Sequence, residues 1–177
     1  WFSYHEPLAK PISNLLGSKT IEVVSMNALS VNLHLLLATF YQPTPTRFKI
    51  LCEAKAFPSD QYIIESQIAF HNMELSKSLV EVKTAGQEHI NEEDILQAIE
   101  THKDSIAVVL IGAVNYYTGQ VFDLQKITQA AHKYGILVGF DLAHAIGNIE
   151  LNLHEWEVDF ASWCTYKYLN SGPGGVS

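Results

Sequence analysis

The stretch IAVVLIGAVNYYTGQVFDLQKITQAAHKYGILVGFD, residues 106–141, decides the fold. It opens on a continuous apolar run, IAVVLI at 106–111, which reads as a strand buried on both faces. Polar NYYTGQ at 115–120 follows as loop. Residues 123–134 carry a helical pattern closed by Gly135, and ILVGF at 136–140 is the next buried strand. Strand, helix and strand in that order make the crossover unit of a parallel sheet. Working outward, the alternation continues. Strands are expected at 21–26 (IEVVSM), 48–52 (FKILC), 79–83 (LVEVK) and 160–164, and helices at 28–41, 60–70 and 91–101. The helix at 28–41 is apolar nearly all round, which predicts burial on all sides, and Pro43 and Pro45 end it. Pro58 and Ser59 open the helix at 60–70, while Asn91 and Asp94 resemble a capping box. TAGQEH at 84–89 is the most loop-like place. The pattern specifies an α/β fold, a three-layer α/β/α arrangement around a mostly parallel sheet.

The bulk numbers bound the function. The chain has 177 residues, 47% hydrophobic and 17% charged, which fits one domain with a real core. A net charge of −8 with scattered Lys and Arg argues against nucleic acid. No apolar run approaches the roughly 18 residues a membrane span needs. Cys52 and Cys164 have neither CxxC nor Cys/His spacing and read as buried thiols in a reducing compartment. The chain opens on WFSYH without Met and stops at GGVS, which reads like the start of a strand. A piece of a longer chain is therefore expected, and a missing targeting signal says little.

In such sheets, ligands sit at the carboxyl ends of the strands. Asp141 follows one strand, Phe57, Pro58, Ser59 and Asp60 another, and Thr165, Tyr166 and Lys167 the last. Leu29 and Ser30 open the helix after the first expected strand, so all these candidates fall on one sheet edge. Asp141 reads equally as a helix N-cap or as the partner of a cofactor's ring nitrogen. His144, three residues on, shares its face; no third ligand has metal spacing. Lys167 alone is an ordinary surface lysine. Flanked by Tyr166 and Tyr168 and followed by SGPGG, it gains a reason to be buried and nucleophilic. A lysine and a strand-end acid together are what pyridoxal 5'-phosphate requires, one for its aldehyde and one for its ring nitrogen. The helix start at Ser30 offers free N–H groups and a hydroxyl for the phosphate, with Tyr166 as a second donor. No Gly-x-Gly-x-x-Gly follows the first expected strand, and no Gly-x-Ser-x-Gly elbow exists, which weighs against dinucleotide enzymes and α/β-hydrolases.

Eight segments carry a closer resemblance. They are MNALSVNLH (26–34), AFPSDQY (56–62), ESQ (65–67), EDILQAIE (93–100), DSIAVVL (104–110), YTGQ (117–120), VGFDLAHAIGN (138–148) and WCTYKYLNSGPGG (163–175). In them the chain resembles the kynureninases, fold type I enzymes of the class V aminotransferase superfamily. The resemblance implies a pyridoxal-phosphate-dependent transferase-like large domain spanning 1–177. An N-terminal segment and a C-terminal small domain, the latter with the arginine that grips the substrate carboxylate, would lie outside it, and the piece alone is expected to show no turnover. It implies that Lys167 carries the cofactor and moves protons at Cα, that Asp141 faces the ring nitrogen, and that His144 lies near the ring hydroxyl. Phe57 would stack on the ring, with Pro58, Ser59 and Asp60 completing that loop. Leu29, Ser30 and Tyr166 would hold the phosphate, and Tyr166 would also serve in proton transfer. Gly112 stands where relatives present Ser or Thr, so any contact there is through backbone. The implied reaction is hydrolysis of L-kynurenine or 3-hydroxykynurenine to anthranilate or 3-hydroxyanthranilate and L-alanine, in tryptophan catabolism and pyridine nucleotide biosynthesis, by a cytoplasmic homodimer. The competing readings are another fold type I lyase, such as a cysteine desulfurase or selenocysteine lyase, and a non-catalytic scaffold. The lyases usually place His beside the lysine, where this chain has Tyr166. A scaffold would be marked by loss of Lys167 or Asp141, and both are present.

Overall fold

The computed structural model describes residues 2–4, 6–83 and 89–176. Among these, five strands form one sheet: β1 Lys49–Glu53, β2 Leu79–Val82, β3 Ile106–Gly112, β4 Leu137–Asp141 and β5 Phe160–Ser162. Their order is β2-β1-β3-β4-β5, and every pairing between them is parallel. Six α-helices accompany them: α1 Glu6–Leu16, α2 Leu29–Phe40, α3 Pro58–Phe70, α4 Leu75–Ser78, α5 Glu92–His102 and α6 Leu124–His132.

The period-2 geometry of a strand sends successive side chains to opposite faces, and this makes the layers. Leu51, Val109, Ile111, Val138 and Phe140 join Leu16 of α1, Ile95 and Ile99 of α5 and Ile127 of α6 in one core. Their neighbours in sequence, Ile50, Cys52, Val108 and Leu110, join Leu33 and Leu37 of α2 and Ile63, Ile64 and Ile68 of α3 in the other. Each such fully buried aliphatic side chain contributes about 1.5–3 kcal/mol, so both faces need cover. Caps fix where the helices begin: Asn91 accepts the Glu93 N–H at 3.3 Å, at the second rather than the third helical residue, and Asp123 accepts that of Lys126 at 3.0 Å.

The strand order contains a reversal. From β1 the chain goes outward to β2 by way of α3 and α4, then returns past β1 to β3 by way of α5 on the other face. The carboxyl ends of β1 and β3 therefore flank the topological switch point, where such sheets open a crevice.

Four expectations change. Residues 21–26 form no strand: Thr20–Glu22 is a single 3-10 turn, the following residues pair with no strand, and Ile21 is 90% exposed. A β-prone sequence makes a strand only where a neighbour offers a ladder. The last strand ends at Ser162 rather than at residue 164, although Trp163 and Cys164 stay buried. In α2 only Leu33 and Leu37 are buried, and Val31 and Leu35 are half-exposed, so its outer face is uncovered. Helices α1 and α4 were not expected; Pro11 inside α1 hides its pattern, because proline ordinarily breaks a helix. Of the loop expected at 84–89, residues 84–88 lie outside the described residues. Cys52 and Cys164 are free and buried. Among the described residues no helix is long and apolar enough to cross a membrane, and no group of three His, Cys, Asp or Glu side chains could hold a metal ion.

Candidate active site

The sheet delivers three residues to its carboxyl edge: Glu53 from β1, Gly112 from β3 and Asp141 from β4, the last two in register. Helix α3 starts just above. Phe57 is its N-cap residue and Pro58 its first helical residue, a position where the missing N–H costs nothing. That start aims Asp60, buried, at the strand ends. The loop after β5 brings Lys167 over the same place. Phe57, Asp60, Gly112, Asp141, His144 and Lys167 line one cavity, completed by Glu53, Val114, Tyr116 and Ala143.

Asp141 accepts the Ala143 N–H at 2.7 Å, so its carboxylate does cap the turn that follows β4. It also faces Asp60. Two carboxyls in hydrogen-bond contact cannot both be ionised, and Asp60 is the one that keeps the proton. Burial drives its pKa far above the carboxylate range, with the Asp141 charge adding to the shift. Ser59 Oγ donates to Asp60 Oδ1 at 3.1 Å and steadies that carboxyl. Glu53 is a third carboxyl in the cavity, 5% exposed. It accepts the Gly112 N–H through both oxygens, at 3.1 and 3.3 Å. Burial raises its pKa to about 7, the Gly112 hydrogen bond opposes this, and the Asp141 charge adds to it. The Gly112 N–H is thus already taken within the protein.

On the other wall, Lys167 Nζ lies 3.1 Å from His144 Nε2, and His144 Nδ1 lies 3.2 Å from the Tyr168 hydroxyl. Burial lowers the His144 pKa, and the Lys167 charge lowers it further against the pull of Asp141. The imidazole is therefore neutral at neutral pH. Since an ammonium can only donate, Nε2 accepts and Nδ1 carries the proton to Tyr168. Lys167 Nζ also sits 5.5 Å from the centre of the Phe57 ring, a cation–π distance, and Tyr116 supports that ring edge-on at 5.2 Å. Behind Lys167, Ser171 Oγ donates to Thr165 Oγ1 at 2.9 Å and Thr165 Oγ1 to the Val176 carbonyl, closing the loop on itself. Gly175 makes this possible: a Cβ there would lie 2.0 Å from Ser171 Oγ.

The remaining candidates stand apart. Leu29 and Ser30 are the first two residues of α2, partly buried, and neither lines the cavity. Pro58 and Ser59 do not line it either; they begin the first turn of α3, where Ser59 holds the Asp60 carboxyl. Tyr166 is 54% exposed beside Cys164. Its phenol pKa is raised, by burial first and then by Cys164 and Asp141, so it stays protonated and able to donate. Glu53 and Tyr116 escaped the sequence reading. Glu53 obeys the same rule that found Asp141, a carboxylate directly after an apolar strand.

Three carboxyls from three elements line one cavity with one amine. Such a cavity fits pyridoxal phosphate on its own chemistry: an amine for the aldehyde, an aromatic face beside it, and an acid pair that must hold a proton until a cation arrives. The aminotransferase class-V family model matches residues 64–177. The chain belongs to the aminotransferase class-V family. Family members depend on pyridoxal phosphate. Over its whole length the chain is 58% identical to a kynureninase of Flavobacterium psychrophilum, 56% to one of Nematostella vectensis and 54% to one of Rattus norvegicus. It spans 42%, 38% and 38% of those proteins' lengths. Among solved structures, a cysteine desulfurase from Thermococcus onnurineus NA1 superposes with a TM-score of 0.78 at 18% identity, over 97% of this chain and 40% of its own. The cystine C-S lyase C-DES gives 0.77 at 16%, over 96% and 43%. These two share the fold.

Proposed function

We propose that the protein hydrolyses L-kynurenine, or its 3-hydroxy form, to anthranilate or 3-hydroxyanthranilate and L-alanine, with pyridoxal phosphate held on Lys167. The observation that carries this reading is one amine, Lys167, facing an acid pair, Asp60 and Asp141, in a single cavity. It stands in a chain more than half identical to kynureninases from end to end. When bound, the cofactor supplies an electron sink for charge at the substrate's Cα.

The protein's own groups do the rest. Asp141, fixed by the Ala143 N–H, would face the ring nitrogen and favour its cationic form. Phe57, braced by Tyr116, would cover the ring face. Lys167 Nζ would hold the cofactor by its aldehyde carbon and would carry the proton to and from the substrate's Cα. Neutral His144 accepts a hydrogen bond from that nitrogen and orients it, with Tyr168 fixing the imidazole. The first-turn N–H groups of α2, with Leu29 and Ser30, and the protonated phenol of Tyr166 would hold the phosphate. Pro58 and Ser59 set the α3 start that aims Asp60. Water adds to the substrate's γ-carbonyl, the Cβ–Cγ bond breaks, and the pair of electrons left on Cβ takes up a proton.

The same proposal makes these residues the cofactor-binding large domain of a longer cytoplasmic homodimer. The greater length of the relatives, the uncovered apolar face of α2 and the two buried free thiols support it. Chromatographic detection of anthranilate and alanine from kynurenine tests the activity. Anthranilate from the full-length protein, none from its Lys167→Ala variant, is the expected result. Alanine and sulfane sulfur from cysteine, with no cleavage of kynurenine, would replace this reading with a desulfurase.

A further inference from the structure

Nothing in the reaction as outlined uses Glu53, yet it is a carboxyl buried at the switch point of the sheet. It ends β1, lines the cavity with Asp60, Asp141 and Lys167, and has its oxygens anchored on the Gly112 N–H of the neighbouring strand. Gly112 leaves the room for it. A Cβ at 112 would come 3.0 Å from Glu53 Oε1, so a side chain there would require the carboxyl to give by a few tenths of an ångström. A buried hydrogen bond to one N–H could be made by an amide as well as by an acid. The acid brings something an amide lacks, a charge that can appear next to Asp141.

We propose that Glu53 is a positioning residue that acts through the Asp60–Asp141 pair and sets how many negative charges face the cofactor's ring nitrogen. The proposal rests on the reading that pyridoxal phosphate occupies this cavity. With Glu53 protonated, Asp141 alone faces the ring nitrogen. With Glu53 ionised, its proton released to solvent, a second charge favours the pyridinium form and holds the Asp60 proton more firmly. Three groups around the cavity do not change state in the neutral window. Asp60 keeps its proton above it, His144 loses its proton below it, and the Cys52 thiol beside Glu53 is pushed well above its usual range by burial. Glu53 titrates at about 7, inside that window.

The test compares Glu53→Gln with wild type for two ligands, pyridoxal phosphate and its analogue with CH in place of the ring nitrogen. Glutamine keeps an acceptor for the Gly112 N–H, so a merely structural role moves neither ligand or both alike. The dissociation constants of wild type and variant for pyridoxal phosphate should agree near pH ~6. The variant should bind about tenfold more weakly near pH ~8. For the CH analogue the two proteins should agree at both values. Equal affinities for pyridoxal phosphate throughout, or equal losses for both ligands, would overturn the role of Glu53. A wild type that binds neither ligand would instead overturn the cofactor reading beneath it. Should the variant not fold, infrared titration of the wild type decides. By reciprocity the Glu53 carboxyl should titrate about one pH unit lower with pyridoxal phosphate bound, and be unchanged by the analogue.

Discussion

Glu53 also makes the protein without cofactor measurably sensitive to pH, in a direction that follows from its burial. Its pKa moves from 4.5 in the open chain to about 7 in the folded one. Below 4.5 both states hold the proton and Glu53 contributes no difference. As pH rises from there the unfolded chain ionises while the folded chain does not, so folding loses stability until the folded carboxyl ionises as well. Above about 7 the loss is complete. At about 1.4 kcal/mol per pH unit the gap amounts to about 3 kcal/mol. The side chain is almost wholly buried, so solvent screening removes little of this. Against a total stability of about 5–15 kcal/mol the effect is large. Glu53→Gln keeps the Gly112 hydrogen bond and removes the ionisation. Urea unfolding of both proteins without cofactor reads the difference. Near pH ~4 the two should agree, and near pH ~8 the glutamine protein should be more stable by about 3 kcal/mol. A variant less stable than wild type by the same amount at both values would refute the reasoning. It would mean that Glu53 is worth only its hydrogen bond and that its charge is already balanced in the folded protein.

Other substitutions separate scaffold from chemistry. Gly139→Ala puts a Cβ 2.0 Å from a ring carbon of Phe160, which is stacked on Phe40 at 4.7 Å. Overpacking of this kind costs about 1–3 kcal/mol in urea unfolding, and because Asp141 ends the same strand, affinity for pyridoxal phosphate should fall with it. Lys167→Ala should abolish the borohydride-trappable adduct with pyridoxal phosphate while leaving stability nearly unchanged; an adduct that persists places the cofactor on another amine. Asn91→Ala removes the cap of α5, a helix that does not line the cavity. It should cost about 1 kcal/mol and leave cofactor binding as it was.

How much of this was legible in the sequence depends on what each signal is about. The sheet was readable because Ile50-Leu51-Cys52 and Val108-Val109-Leu110 must satisfy two cores at once, and only unbroken apolar runs do that. The segment at 21–26 has the same look and is not a strand, because propensity describes a residue's fit to a sheet, not whether an edge is there to receive it. The half-exposed face of α2 was misread for a related reason. Leu33 and Leu37 pack on the sheet, whereas Val31 and Leu35 point away from it, and composition alone cannot tell the two sides apart. Helix α1 was hidden by Pro11, a residue whose local rule the tertiary contacts of Ile12 and Leu16 override. In the site, Asp141 and Lys167 were legible as a pair because each follows a strand, and strand ends share an edge.

The third carboxyl shows what topology adds to such a reading. Glu53, Asp60 and Asp141 come from β1, α3 and β4, 88 residues apart at the extremes by their numbering. No spacing rule connects them. They meet because the chain reverses between β1 and β3, so the strand ends on either side of the reversal open toward the same crevice. Three acids gathered there with one nearby lysine leave the cavity short of positive charge, and a low-dielectric site can meet that shortage in two ways: protons on the acids or a cation between them. The protein alone takes the first way, with Asp60 protonated and Glu53 poised near neutrality. A ligand carrying a cationic ring nitrogen supplies the second. It thereby gains binding energy from the crowding of the carboxyls, as well as from any contact it makes. On this argument the selectivity for a pyridinium over a neutral ring lies in how many carboxyls the fold has forced together, and Glu53 is the one whose charge sets its strength.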